Sequence, residues 1–261
     1  MFRSLHIAAT GMAAQETQLE GVANNIANAN TTGFKRQRIE FQDLLYQTVR
    51  GPGTRTSEST RSPTGIQLGS GVRVAGTSRS FSQGTILVTS NPLDVAIEGS
   101  GFFVVQQPDG TPAYTRAGAL QKDAQGQLVT PEGYLLDPPI IIPAEAQSVT
   151  IGADGTISAM VGGQTTPADV GQLTIATFIN PAGLQAMGKN LFIQSSASGE
   201  PQVGAPGSDG RGALLQGALE HGNVDVVEEM IGMISAQRAY EVNSKVVTTA
   251  DEMLRAATQM K

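Results

Sequence analysis

Residues 223–261 read NVDVVEEMIGMISAQRAYEVNSKVVTTADEMLRAATQMK. Val226, Met233, Tyr240, Val247 and Leu254 recur every seven residues, and Met230, Ala236, Asn243, Ala250 and Ala257 fill a second seam. That spacing predicts a helix with a coiled-coil-like stripe. Asn223 supplies an N-cap, and Asp225, Glu228 and Glu229 occupy the first turns, where the helix dipole favours negative charge. Arg255 and Lys261 fall at the opposite end. At 1.5 Å per residue the helix would run about 55 Å. An apolar stripe this narrow requires a partner helix.

Residues 3–29 supply one. Leu5, Met12, Leu19 and Ile26 are also spaced by seven, with Ala8 and Val22 three positions after the first and third, and Ala9 and Ala23 four after. This helix would be about 40 Å long. Gln15 and Glu16 weaken its middle, and Gly11 and Gly21 each lower helix propensity by about 1 kcal/mol relative to Ala. The two segments, far apart in sequence, are natural partners for each other.

Between them the texture changes. GPGTRTSESTRSPTG, residues 51–65, has no apolar rhythm and reads as a long loop or extended arm. From about Val72 to His221, short apolar runs alternate with turn formers. FFVVQQ precedes Pro-Asp-Gly at 108–110, QLVT precedes Pro-Glu-Gly at 131–133, TIGADGTISAMV turns at Asp154-Gly155, and LTIATFI ends at Asn180-Pro181. These are hairpin signals, and no ten-residue amphipathic helix stands out among them. The expected fold is α+β: a discontinuous domain of N- and C-terminal helices plus a β-rich middle domain. The expected spans are 1–33 for the first helix, 34–72 for linker and arm, 73–222 for the β-rich domain and 223–261 for the last helix.

Hydrophobic residues make up 39% and charged residues 15%, both low, and 31 glycines fill part of the gap. The net charge of −6, with no basic stripe carrying aromatics, argues against nucleic acid. Zero cysteine removes disulfides and thiolate metal sites. No stretch has the length of a membrane span, and His6, Thr10 and Gly11 interrupt the N-terminal apolar run, so an uncleaved N-terminus is expected.

Catalytic constellations are weak. His6 and His221 have no acid or second histidine at ligand spacing, and read as ordinary surface or interface residues. Gly69-Ser70-Gly71 and Gly99-Ser100-Gly101 lack the third glycine and lysine of a phosphate loop. Asp109, Asp137 and Asp154 sit beside Gly or Pro in turns. Asn30-Thr31-Thr32 matches a glycosylation acceptor, a pattern frequent by chance. No enzyme activity, metal, cofactor or small-molecule substrate is implied.

NNIANANTTGFKR, residues 24–36, puts Asn24, Asn25, Asn28 and Asn30 within seven positions. Asparagine is a poor helix former. A helix ending at Gly33 explains one or two of these amides. The off-seam positions include Ser4, Thr10, Thr17, Gln18, Asn24, Asn25 and Asn28, and apart from Arg3, Glu16 and Glu20 the helix carries no charge. A wet face would carry Lys and Glu; amides and hydroxyls can instead be buried cheaply when they bond across an interface. The first helix is therefore expected to meet neighbours on several sides.

Three stretches share one resemblance. VANNIANANTTGFKR at 22–36 resembles the N-terminal signature of bacterial flagellar rod and hook proteins, and AQRAYEVNSKVVTTADEML at 236–254 is similar to the matching C-terminal end. NPLDVAIEGSGFFVV at 91–105 and AYTRAGALQKDAQGQLVTPEGYLL at 113–136 are similar to the β-domain of that family. The arm YQTVRGPGTRTSESTRSPTGIQLGSGV at 46–72 and the overall length resemble distal rod subunits, and 51–61 departs mildly in composition.

The resemblance implies a homopolymer in helical array that carries motor torque through the periplasm and outer membrane to the hook and encloses an export channel. The implied partners are proximal rod proteins, the hook protein, the P- and L-ring proteins and the flagellar type III export apparatus. Within it, Leu5, Met12, Leu19 and Ile26 are expected to seal against Val226, Met233, Tyr240, Val247 and Leu254. Asn24, Asn25, Asn28, Thr32, Gly33, Phe34, Arg55 and Arg61 are expected at contacts between subunits. Another rod or hook subunit is the nearer alternative; a secreted β-domain enzyme or adhesin dimerised by its helices is the distant one.

Overall fold

The computed structural model describes residues 2–53, 63–162 and 166–259. Their contacts divide into two compact units: Met1–Ala27, Gln37–Ser78 and Asp225–Lys261 form one, and Asn28–Arg36 with Arg79–Val224 form the other.

The helical unit contains α1 (Phe2–Ala27) and α2 (Val226–Gln259), separate in sequence and packed on each other. Asp225 caps α2, accepting at Oδ1 from the amides of Val227 and Glu228 at 2.9 and 3.2 Å. The glycines that weaken α1 lie where neighbours crowd it. A methyl at Gly11 would meet Asn243 Nδ2 of α2 at 3.0 Å, and one at Gly21 would meet Ile39 Cδ1 at 2.6 Å. Ile39 belongs to β1 (Gln37–Asp43), which pairs with β4 (Val72–Arg79). A second pair, β2 (Gln47–Arg50) with β3 (Ile66–Leu68), forms the neck of the expected arm. The tip of the arm, with Arg55 and Arg61, lies outside the described residues.

The β-rich unit carries β5 (Ile86–Val88), β6 (Val95–Glu98), β7 (Phe102–Gln106), β8 (Pro112–Thr115), β9 (Gln121–Lys122), β10 (Leu128–Val129) and β11 (Leu135–Leu136). These are followed by β12 (Ala146–Ile151), β13 (Thr156–Val161), β14 (Ala168–Gln172), β15 (Ile175–Thr177), β16 (Gln185–Gly188), β17 (Leu191–Ile193), β18 (Gln202–Gly204), β19 (Ala213–Gln216) and β20 (Ala218–Glu220). β7 is central. β8 lies along one edge, while β15 and β11 share the other. Its continuous apolar run, FFVVQ, reflects burial on both faces. Phe103 and Val105 enter the main core with Val95, Ile97, Leu128 and Ile175. Phe102 and Val104 enter a second, aromatic cluster with Tyr114, Phe178 and Phe192. There the rings meet edge to face, Tyr114 and Phe178 at 4.8 Å and Phe102 and Phe192 at 6.0 Å between centroids.

The expected turns at 108–110, 131–133 and 154–155 join β7 to β8, β10 to β11 and β12 to β13. In the first and third, Asp109 and Asp154 accept at Oδ1 from both the amide and the hydroxyl of Thr111 and Thr156. Those bonds hold both carboxyls below the usual carboxylate range. Among the described residues the only helical turn between α1 and α2 is a 3-10 turn at Pro181–Gly183. The architecture is α+β with separated terminal helices, as the sequence predicts.

The compact units differ from the expected spans in two places. Residues 28–36 fold with the β-rich unit, and residues 37–78 fold with the helices. In the first case the reason is a set of buried bonds to Glu220 and Asn223, described below. In the second it is the packing of β1 against α1.

Candidate assembly surfaces

α1 and α2 meet through small side chains. On α1 the buried positions include Ala8, Ala14, Val22 and Asn25; on α2 they are Glu229, Ala236 and Ala250. Glu229, Ala236, Asn243 and Ala250 are spaced by seven, so the line of closest approach follows the second seam of α2 rather than the bulkier first one. Alanine and glycine permit that approach, whereas Tyr240 there would hold the helices apart. Leu5, Met12, Leu19 and Ile26, with Met233, Val247 and Leu254, are half-buried, and Val226 and Tyr240 are exposed. In the single chain Val226 and Tyr240, expected in the seal, remain exposed.

More apolar surface lies beyond the seam. Val227 is 67% exposed, Ile231 64%, Ile234 49% and Val242 63%. Met230, Val246 and Met253 add to this surface on α2, and Leu45, Tyr46, Val49, Ile66 and Leu68 are exposed at the neck of the arm. Single exposed aliphatics are ordinary, but several repeated along one helix mark a surface suited to contact.

The asparagine-rich segment has a different geometry. Asn25 is buried. Its Oδ1 accepts from the Gln37 amide at 2.9 Å, and its Nδ2 donates to the Gln37 carbonyl at 2.9 Å and to Glu229 Oε2 at 3.2 Å. One amide thus closes a backbone-like pair with β1 and reaches α2. Asn28 accepts from Thr31 through its side chain and its carbonyl. The Thr32 carbonyl accepts from Asn190 Nδ2 at 3.0 Å. Gly33 has φ 70, and a methyl there would lie 2.6 Å from the Ala117 nitrogen, so only glycine fits. Phe34 is buried. Within the single chain Asn25, Gly33 and Phe34, expected at contacts between subunits, have internal roles. Asn24 remains on the exposed side of α1.

Next to Phe34 lies an ion cluster that the sequence pattern does not announce. Lys35 Nζ donates to Glu220 Oε1 at 2.6 Å and to the Ser82 carbonyl at 2.8 Å. Arg116 Nε donates to Glu220 Oε2 at 2.8 Å, and its remaining nitrogens donate to the carbonyls of Ile97, Gly99 and Gly101. The Gly84 amide adds a further bond to Glu220 Oε1 at 2.8 Å. The side chains of Lys35 and Glu220 are wholly buried, and that of Arg116 is 3% exposed. Burial alone would push the Glu220 carboxyl up; Arg116, Lys35 and the Gly84 amide outweigh it and hold the group below its ordinary value. Burial, reinforced by Arg116, lowers the Lys35 ammonium in spite of Glu220. Nearby, Asn223 Oδ1 accepts from the Arg36 amide at 2.7 Å and its Nδ2 donates to the Ser80 and Ser82 carbonyls. Asn223 therefore ties two segments together, while capping falls to Asp225. The one hint in the sequence is placement: charges are scarce, yet Lys35 directly follows buried Phe34.

Among the described residues no group of acids and histidines could hold a metal ion, and no helix is long and apolar enough to cross a membrane.

Three family models match in chain order. Residues 5–35 match "Flagella basal body rod protein", residues 96–159 "Flagellar hook protein FlgE/F/G D1 domain" and residues 215–260 "Flagellar basal body rod FlgEFG protein C-terminal". The flagellar basal-body rod protein FlgG of Buchnera aphidicola subsp. Baizongia pistaciae is 49% identical over 255 residues, 98% of each chain. The chain belongs to the flagellar basal-body rod protein family. FlgG of Caulobacter vibrioides is 49% identical over 99% of each chain, and FlgG of Bacillus subtilis 40% over all of each. A rod protein is a structural subunit of the flagellar basal body, which explains why turns and packing, not paired acids, occupy the polar residues. The matched ends, 5–35 and 215–260, contain α2, all but the start of α1, and two members of the buried ion cluster, Lys35 and Glu220.

Proposed function

We propose that the chain polymerises into the distal part of the rod, a helical tube that carries torque to the hook and encloses an export channel. The observation that carries this reading is the apolar surface of α2, from Val227 to Met253, left open by α1. Covering it with sister chains removes that surface from water at about 25 cal/mol per Å². Stiffness then comes from many such contacts per subunit. Asn24, Asn28 and Thr32, with Arg55 and Arg61 of the arm, complete the proposed contacts between subunits.

The arm locks neighbouring subunits together. The exposed Leu45, Tyr46, Val49, Ile66 and Leu68 at its neck support this role. The P- and L-ring proteins would surround the tube, proximal rod and hook proteins would meet its two ends, and the type III apparatus would export the chain with its N-terminus intact. Helices held by an alanine seam, the first of them weakened by Gly11 and Gly21, suit passage through a narrow channel.

Concentrating the purified chain tests the reading: it should grow into open-ended tubes, seen by electron microscopy and sedimentation. A discrete dimer that stops growing would refute it. A chain lacking residues 51–65 should form tubes with a shorter persistence length; unchanged stiffness would remove the arm's role.

A further inference from the structure

The helical unit carries a groove of about 340 Å³ where the start of α1 meets the C-terminal half of α2. Ser4, Val242, Val246, Thr249 and Met253 line it, with Lys245 at its wall. The lining is overwhelmingly apolar and lacks the convergent polar groups that orient a small molecule. Two to four turns earlier, α2 presents Val227, Met230, Ile231 and Ile234 as an exposed ridge.

We propose that the groove of one chain receives this α2 ridge of a second copy, head to tail. The inference rests on the polymer reading and names the contact that propagates it. Two observations favour that occupant. The ridge is acidic at its base, with exposed Asp225 and Glu228 and no basic residue from there to Arg238, whereas Lys245 stands in the groove wall. Of the acids near the groove, Asp251 already bonds Arg255 at 2.9 Å. Ridge and groove are also separate stretches along one helix, so filling one with the other leaves a fresh ridge and a fresh groove. Such a heterologous contact grows without closing, whereas ridge against ridge would stop at a dimer.

The absence of cysteine makes the test direct. Ile231→Cys and Val246→Cys are prepared separately and in one chain, assembled, and treated with a short bis-maleimide. Along the helix the two positions are about 22 Å apart, too far for a link within one chain. Mixed single variants should give dimers, each alone almost none, and the double variant a ladder of oligomers. If these substitutions stop growth, Val227→Cys with Thr249→Cys supplies the same readout. Tubes that form without the 231–246 link, or with 231–231 links dominant, overturn the inference and leave the polymer reading standing. Failure of the unsubstituted chain to grow overturns both.

Discussion

Glu220→Gln should cost the β-rich unit about 3–5 kcal/mol of stability, because it leaves Lys35 and Arg116 buried side by side with no anion between them. A buried pair adds little over a well-packed apolar substitute, but removing one partner strands the others. Urea unfolding followed by near-ultraviolet circular dichroism of the aromatic cluster around Tyr114 should register the loss. Adding Lys35→Met should recover part of it by withdrawing one of the stranded cations. A Glu220→Gln midpoint within about 1 kcal/mol of the unsubstituted protein would contradict this account of the cluster.

The same carboxylate predicts an acid response. Its pKa is depressed on folding, so its contribution is complete above the unfolded-chain value and fades as pH falls through the lower folded value. Acid should therefore loosen the β-rich unit, and Glu220→Gln should flatten that part of the pH dependence.

The second large effect belongs to assembly. Replacing Val227, Ile231 and Ile234 together by Ser should barely change the stability of the single chain, since all three are largely exposed and Ser has similar helix propensity. In the polymer each loses about 1 kcal/mol of burial, part of what a fully buried aliphatic gains. The sum, about 3 kcal/mol, should raise the critical concentration for growth by roughly a hundredfold. A change under about threefold, measured by sedimentation of the unpolymerised fraction, would show that this face is not covered by a sister chain.

These effects also mark where the sequence could and could not be read. The helices were legible because seven-residue spacing has a single structural meaning over four turns or more, and the hairpins because Asp-Gly and Glu-Gly mark turns locally. The choice of seam on α2 was not. Counting bulk favoured Val226 and Tyr240, but close packing favoured Ala236 and Ala250, and only the path of α1 decides between them. Strand β1 was hidden in the expected linker because its partner β4 lies far along the sequence and strand propensity depends on what the strand packs against. Lys35, Arg116 and Glu220 escaped because no spacing rule joins charges so distant in sequence. The four asparagines look alike in sequence; only burial separates Asn25, which closes a pair with Gln37, from exposed Asn24.

A side-chain-resolution reconstruction of the assembled tube tests most directly whether sister chains cover the helical unit. The account predicts Val227, Ile231 and Ile234 within van der Waals reach of another copy's helix, with water excluded between them. Finding that row facing an open channel in an intact tube would contradict it.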